Sequence, residues 1–426
     1  MPRPSRLLAD IRPLRECPPY RRLWTGSLVS SIGAAMTAFA LTLQVYRLTH
    51  SAFAVGAIGL VTLVPTLTAG IFGGSLADRV DRRKLVLITS SSLAAVSALL
   101  AVQAFAGLRQ VWLIYLLAAV EATVVSVDNP ARRTFTPRLL PAKLLPAGLA
   151  LNQLTFQVTL VAGPALAGLI TAAGGLRLCY LIDAVSFGAA LYSVARLPAM
   201  RPVGDVPRRS LRAVADGLRF IVSSRPVAGA FLTDLSATVF GLPVALFPAI
   251  NAERFGGNPA ILGLFMASIG VGGLLSGVLS GRAVHAVRQG RAMLLAVAVW
   301  GAAFAGFAVA PWLWLTLACL ALAGAADTFT VVFRGAIVQS VTPDALRGRV
   351  LAADYVVGAG GGQLGSLEAG ALGSLTSPAI SALAGGLVTV AAAVVIAIAM
   401  PSFARYRRPA DQEEAREPES ASSVTA

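Results

Sequence analysis

Seven carboxylic acids lie inside or at the ends of long apolar runs: Glu121, Asp128, Asp183, Asp234, Asp327, Asp354 and Glu368. An ionised acid at the centre of a bilayer costs about 2.5–3.5 kcal/mol on insertion scales, so such residues pair with a cation, face water or hold a proton. Asp128 precedes Arg132 by four residues, the spacing of a helical ion pair. Asp354 follows Arg349 by five and reads as structural. Asp183 falls near the outer end of its run, where a water-exposed or capping role is expected. Glu368 reads as a gate or rim residue. Glu121 is near the middle of its run with no basic residue beside it, Asp327 is well inside its run, and Asp234 is about two turns into its own. A carboxyl group so placed either carries a proton or hydrogen-bonds to a neighbouring helix, and the residues alone leave both readings open.

The elements that must position these acids follow from composition. The chain has 426 residues, 56% hydrophobic and 13% charged, against about 25% charged in ordinary soluble domains. A spanning helix takes about 20 apolar residues, so twelve take roughly 240, close to what this chain supplies. Polar breaks divide it into runs at 23–46, 53–76, 85–106, 111–128, 147–172, 177–195, 227–250, 259–281, 292–310, 312–333, 350–373 and 378–400. Glycines such as Gly270, Gly272, Gly273 and Gly277 allow close helix approach in a membrane. The arginine-bearing N-terminus leads directly into the first run and reads as uncleaved. Cys17, Cys179 and Cys319 are widely spaced, and the two histidines, His50 and His285, are isolated. No metal site, disulfide frame or cofactor is expected.

Charge sets the orientation. With both ends cytoplasmic, the outer loops hold only Arg47, Arg109, Arg177 and Arg254, and the other 31 of 35 basic residues lie inside, as the bias of Lys and Arg toward cytoplasmic loops requires. The net charge of +15 is thereby assigned to cytoplasmic loops rather than to nucleic acid. Residues 1–197 form a first six-helix bundle and 226–406 a second. The basic linker 198–225 repeats Leu211, Val214, Leu218 and Ile221 at helical spacing, which predicts an amphipathic helix on the inner membrane surface. The Glu-, Ser- and Pro-bearing tail 407–426 is expected to be disordered. The stretch 132–153 aligns without gaps on 334–355, matching Arg132 to Arg334, Pro141 to Pro343, Leu144 to Leu346 and Leu149-Ala150 to Leu351-Ala352. A duplicated six-helix unit explains this, and such repeats mark secondary transporters.

The loop after the second run reads GGSLADRVDRRKL (73–85). Asp78 ends a helix among Arg79, Arg82, Arg83 and Lys84, and it can pair with an arginine or cap a facing helix N-terminus; the plainer reading is a topological anchor and a turn. GSLADRVDRRK resembles the loop signature G-x-x-x-D-R-x-G-R-[RK] of the major facilitator superfamily, with Asp81 in place of the usual glycine. NPARRTFTPRLLPAKLLPAGLALNQL (129–154) looks like the matching stretch of the enterobactin-exporter-like branch. The resemblance runs to about Tyr406. It implies an all-α integral membrane protein, with twelve transmembrane helices in two pseudo-symmetric six-helix bundles. Spans 1, 4, 7 and 10 would line a central cavity, 2, 5, 8 and 11 would form the seam, and 3, 6, 9 and 12 would be outer supports. Glu121, Asp234 and Asp327 then fall on cavity-lining spans. Asp78 carries over as the latch of the inward-closed state, with Arg79 and Arg82 beside it. AGPALAG (162–168) resembles in part the Gly-Pro-x-x-Gly-Gly pattern of antiporters through Gly163, Pro164 and Gly168, with Ala167 and Thr159 at usual glycine positions. A plain kinked packing helix accounts for it equally well.

These readings converge on proton-coupled export of a small amphiphilic molecule, a drug or siderophore, by a monomeric plasma-membrane transporter. Its partners would be that substrate, protons and the bilayer. Uptake or lipid flipping on the same fold, or a non-transporting membrane sensor or assembly partner, are the alternatives. No Walker A loop, zincin motif or channel filter is present in the sequence, so no enzymatic activity is expected. The orientation is testable with a cysteine introduced at Ser210. It should resist a membrane-impermeant maleimide in intact cells and react in inverted vesicles; efficient labelling from outside would reject the twelve-span topology.

Overall fold

The computed structural model describes residues 10–77, 79–200, 211–283 and 288–407. Asp78, linker residues 201–210 with Arg201, Arg208 and Arg209, and the tail from residue 408 lie outside them. Each of the twelve apolar runs becomes helix, the seventh in separate pieces. A short α1 (Arg12–Glu16) precedes α2 (Pro18–Thr49), α3 (Ala52–Ala77), α4 (Arg82–Phe105) and α5 (Val111–Arg133). Then come α6 (Phe135–Leu139), α7 (Leu145–Gly174), α8 (Leu176–Ala195) and the linker helix α9 (Leu211–Ser223). The remainder is α10 (Arg225–Phe240), α11 (Phe247–Phe255), α12 (Pro259–Ala283), α13 (Gln289–Val309), α14 (Leu313–Val341), α15 (Asp344–Leu375), α16 (Pro378–Ala399) and α17 (Pro401–Ala404). Among the described residues eleven segments are long and apolar enough to cross a membrane. The twelfth long helix is α15, whose first three turns carry Asp344, Arg347, Arg349 and Asp354.

Local chemistry sets the boundaries. Prolines open α2, α10 and α16, where a missing N–H costs nothing. Asp81, unexpected in its loop, caps α4 by accepting the Arg83 N–H at 2.9 Å. Gly175 (φ 86°) stops α7, and His50 (φ 51°) stops α2 in the left-handed region. The seventh run departs from the expected continuous helix. It breaks after Phe240, passes through a 3₁₀ turn at Val244–Leu246 and resumes at Phe247. Pro243 has no N–H to give the preceding turn, and Gly241 fits against Thr389, whose Oγ1 would lie 2.7 Å from a Cβ there.

Two compact units result. One comprises residues up to His50, from Leu60 to the linker, and Asn251–Ala267; the other comprises Ser51–Gly59, the linker helix to Ile250, and the chain from Ser268. In the first, α2 packs on α7 and α8, and α4 on α5 and α8. In the second, α13 packs on α14 and α16, and α10 on α14, α15 and α16. The linker helix forms where the pattern placed it, and one side of it packs on protein: Ile221 is buried with Phe231, Val338 and Val350, and Gly217 meets the Arg349 carbonyl of α15.

Glycines bring backbones together within each unit. A Cβ on Gly272 of α12 would fall 1.7 Å from the Ala321 carbonyl oxygen, and one on Gly324 of α14 would fall 2.0 Å from that of Ile269. A Cβ on Gly277, five residues further along α12, would meet nothing within 4 Å. Gly272→Val is therefore expected to lower stability by about 1–3 kcal/mol, the usual cost of overpacking, while Gly277→Ala stays near wild type. Thermal unfolding of the detergent-solubilised protein checks both; equal melting temperatures would refute the contact.

Candidate functional site

Glu121 lies on α5 and is half-buried. Among the described residues no hydrogen bond or ion pair holds it. It is within electrostatic reach of Asp183 and Tyr180, both on α8. Asp183, expected from sequence to be water-exposed or a cap, is neither. It is 1% exposed and sits in a cradle of hydroxyls: Thr37 Oγ1 of α2 donates at 2.8 Å and Ser97 Oγ of α4 at 2.7 Å. The cause is Gly33, where a Cβ would lie 2.6 Å from Asp183 Oδ1; its absence lets α2 close over the acid. A turn away, Gln44 and Gln103 exchange side-chain amide bonds at 3.0 and 3.2 Å, and Tyr180 donates its hydroxyl to Gln44 Oε1 at 2.7 Å. These polar groups, all buried, fasten α2, α4 and α8 behind Glu121. Sequence reading missed them because each residue is ordinary alone and only helix packing joins them.

Asp128 pairs with Arg132 as the spacing predicted and also accepts from Thr89. Arg132 Nη2 donates to Ser90 at 2.6 Å. This is a closed structural cluster between α4 and α5.

In the second unit the central charge is Arg334 of α14, noticed in the sequence only as the repeat partner of Arg132. Its Nη1 lies 2.6 Å from Asp354 Oδ1 of α15 and 3.3 Å from Asp234 Oδ2 of α10. The guanidinium also stands over the Phe231 ring at 5.7 Å. Asp354 therefore pairs with Arg334 and not with Arg349; Arg349 reaches Asp216 of α9 at 3.0 Å instead. Asp327, two turns before Arg334 on the same helix, is half-buried and without a hydrogen bond or ion pair among the described residues. It feels both Asp234 and Arg334. Two carboxylates thus share one guanidinium, with Asp327 within its electrostatic reach. Asp234 and Asp327 lie within electrostatic reach of each other, and among the described residues only Asp234 is held by a cation.

Asp78, the expected latch, lies outside the described residues. Arg79 is exposed, and Arg82 is buried with its N–H donated to the Met200 carbonyl at 3.2 Å. The neighbouring Asp81 accepts the Met200 N–H at 3.2 Å, and Arg83 donates to the Ala195 carbonyl at 2.6 Å. Partial burial pushes the Asp81 carboxyl up, but backbone N–H groups of Met200, Arg83 and Lys84 outweigh it and hold it below the usual carboxylate range. The loop is thereby sewn to the end of α8.

Gly163, Pro164 and Gly168 are buried on α7. Gly163 meets Ala35 of α2, and Gly168 meets the start of α12, where a Cβ would lie 2.7 Å from the Pro259 carbonyl oxygen and 3.0 Å from Gly263 Cα. In the other unit Gly56 and Ala52 of α3 close in the same way on Ser366 and Gly370 of α15, and the Phe53 N–H donates to Ser374 at 2.9 Å. Glu368 lies between these contacts, half-buried.

Comparison with known proteins agrees with this architecture. The transmembrane secretion effector family of major facilitator proteins matches residues 9–424. The enterobactin exporter EntS of Escherichia coli O1:K1 is 28% identical over 349 residues, covering 80% of this chain and 82% of the exporter. The nucleoside transporter NupG superposes with a TM-score of 0.69 at 15% identity, over 91% of this chain and all of that one. A bacterial homologue of ferroportin in an inward-facing state gives 0.68 at 15% identity, over 91% and 99%; these likenesses show the fold. The chain is a multi-pass membrane transporter and belongs to the transmembrane secretion effector family of the major facilitator superfamily.

Proposed function

We propose that the protein exports a small amphiphilic molecule of siderophore or drug type across the plasma membrane, in exchange for protons, by alternating access, as a monomer with both termini in the cytoplasm. The observation that carries the proton step is the pair Glu121 and Asp327. Each is half-buried on a long apolar helix, and each lacks a hydrogen bond or ion pair among the described residues. By family resemblance both helices line the cavity. A carboxyl group without a fixed cation can be neutral when loaded with a proton and charged when it releases one, which is the property a carrier needs. Asp234 has Arg334 as a fixed partner and is the third choice; protonating it would free Arg334 to pair with Asp354 alone. Export and the siderophore-like class are supported by likeness to the enterobactin exporters.

Alternating access is supported by the glycine contacts of α7 with α12 and of α3 with α15. On the both-ends-inside orientation these are the outer ends of helices that the family resemblance makes the seam. Asp78, with Arg79 and Arg82, would latch the inward-closed state, and Glu368 would be an outer gate residue. Asp78→Asn should then lower transport while the protein still reaches the membrane, because loss of one state's contacts shifts the population of states.

The test is transport in proteoliposomes with and without an imposed pH gradient, using enterobactin and amphiphilic dyes. Glu121→Gln or Asp327→Asn should abolish gradient-driven accumulation and leave downhill exchange. If the triple variant with Asp234→Asn still accumulates substrate, the site assignment fails. If every amide is silent and no substrate moves, the sensor or assembly reading replaces transport of these molecules.

A further inference from the structure

A second site is built on the outside of the second unit. Arg288 and Arg291 stand where α13 begins, and Arg405 and Arg407 where the chain leaves α17. All four border one cavity of about 620 Å³, whose walls are otherwise apolar, with Leu295 and Ala298 of α13 facing Val394 and Ala397 of α16. Arg288, Arg291 and Arg405 are exposed, and among the described residues no carboxylate pairs with them.

The frame that carries these cations is fixed. Phe403, 0% exposed, is clasped by two glycines. A Cβ on Gly290 of α13 would lie 1.9 Å from the Phe403 carbonyl oxygen, and one on Gly229 of α10 would lie 2.4 Å from its ring. The Tyr406 hydroxyl meets that of Ser340 at 2.9 Å. The turn at α17 therefore holds Arg405 and Arg407 over the mouth of the groove, opposite Arg288 and Arg291.

We propose that this groove binds an anionic diacyl phospholipid of the adjoining leaflet, its phosphate among the arginines and an acyl chain along α13 and α16. Two complementarities select this occupant. A soluble anion has no use for apolar walls that run down a membrane-spanning helix pair. A zwitterionic lipid gains little from four cations at one end. Basic clusters between spans at the membrane surface recognise such headgroups, each cation strengthening binding about fivefold. The acidic tail of the same chain, with Glu413, Glu414, Glu417 and Glu419, is the rival occupant.

The experiment is native mass spectrometry of the full chain in nonionic detergent, with phosphatidylglycerol and phosphatidylcholine of identical acyl chains. Wild type should retain phosphatidylglycerol at least tenfold more tightly. Combined Arg288→Gln, Arg291→Gln and Arg405→Gln should weaken it by roughly a hundredfold, while the three Lys substitutions keep the preference. Ala298→Trp with Ala397→Trp, which fills the groove and leaves the cations, should reduce retention of both lipids. Equal retention of the two lipids by wild type overturns the proposal, as does an unchanged preference in the Gln or Trp variants. Glycerol phosphate competing as well as the lipid would leave only a headgroup-sized anion site. A preference that emerges only when the chain is ended after Arg407 would assign the groove to the tail.

Discussion

Hydrocarbon offers no partner to a backbone N–H or carbonyl, so a chain that crosses it repeatedly must satisfy its polar groups from within. Helices do this for the backbone, and every other feature of the fold is an answer to the same demand from the side chains. Asp183 is answered by three hydroxyls, Asp128 by Arg132, and Gln44 by Gln103 and Tyr180. In the second unit a single guanidinium serves both Asp234 and Asp354. Against that background Glu121 and Asp327 stand out because no hydrogen bond or ion pair among the described residues answers them, although an unanswered charge at such depth is expensive.

The same demand explains the glycines. Without a hydrophobic drive between helices in lipid, association relies on close backbone approach. The reciprocal contacts Gly301–Gly386 and Gly168–Gly263 supply it, with Cβ positions 2.5–3.0 Å from the opposing backbone. Another glycine decides how an acid is covered: Gly33 admits α2 to Asp183.

The twelve helices were readable because uninterrupted apolar length is a one-dimensional signal. The Asp128–Arg132 pair was readable for the same reason, being local to one helix. What failed was long-range. Asp183 was placed by its distance along the run, but its surroundings come from Thr37 and Ser97, more than 80 residues away. Asp354 was read as structural from its place near Arg349, but the arginine that holds it is Arg334, 20 residues back on another helix. The break in the seventh run was signalled by Gly241 and Pro243, but its apolarity is continuous and spoke for an unbroken helix. Asp81 looked like a departure from a glycine turn; it is a cap whose second partner, Met200, lies beyond four further helices.

The mutual approach of Gly272 and Gly324 has a mechanical consequence. Two backbones already in contact cannot slide or rotate past one another without separating altogether, so α14 and the part of α12 beyond Ser268 act as a single lever. Asp327 lies three residues from that fulcrum, on the stiff arm. Any displacement of α12 at this contact is therefore passed to the stretch of α14 that carries Asp327.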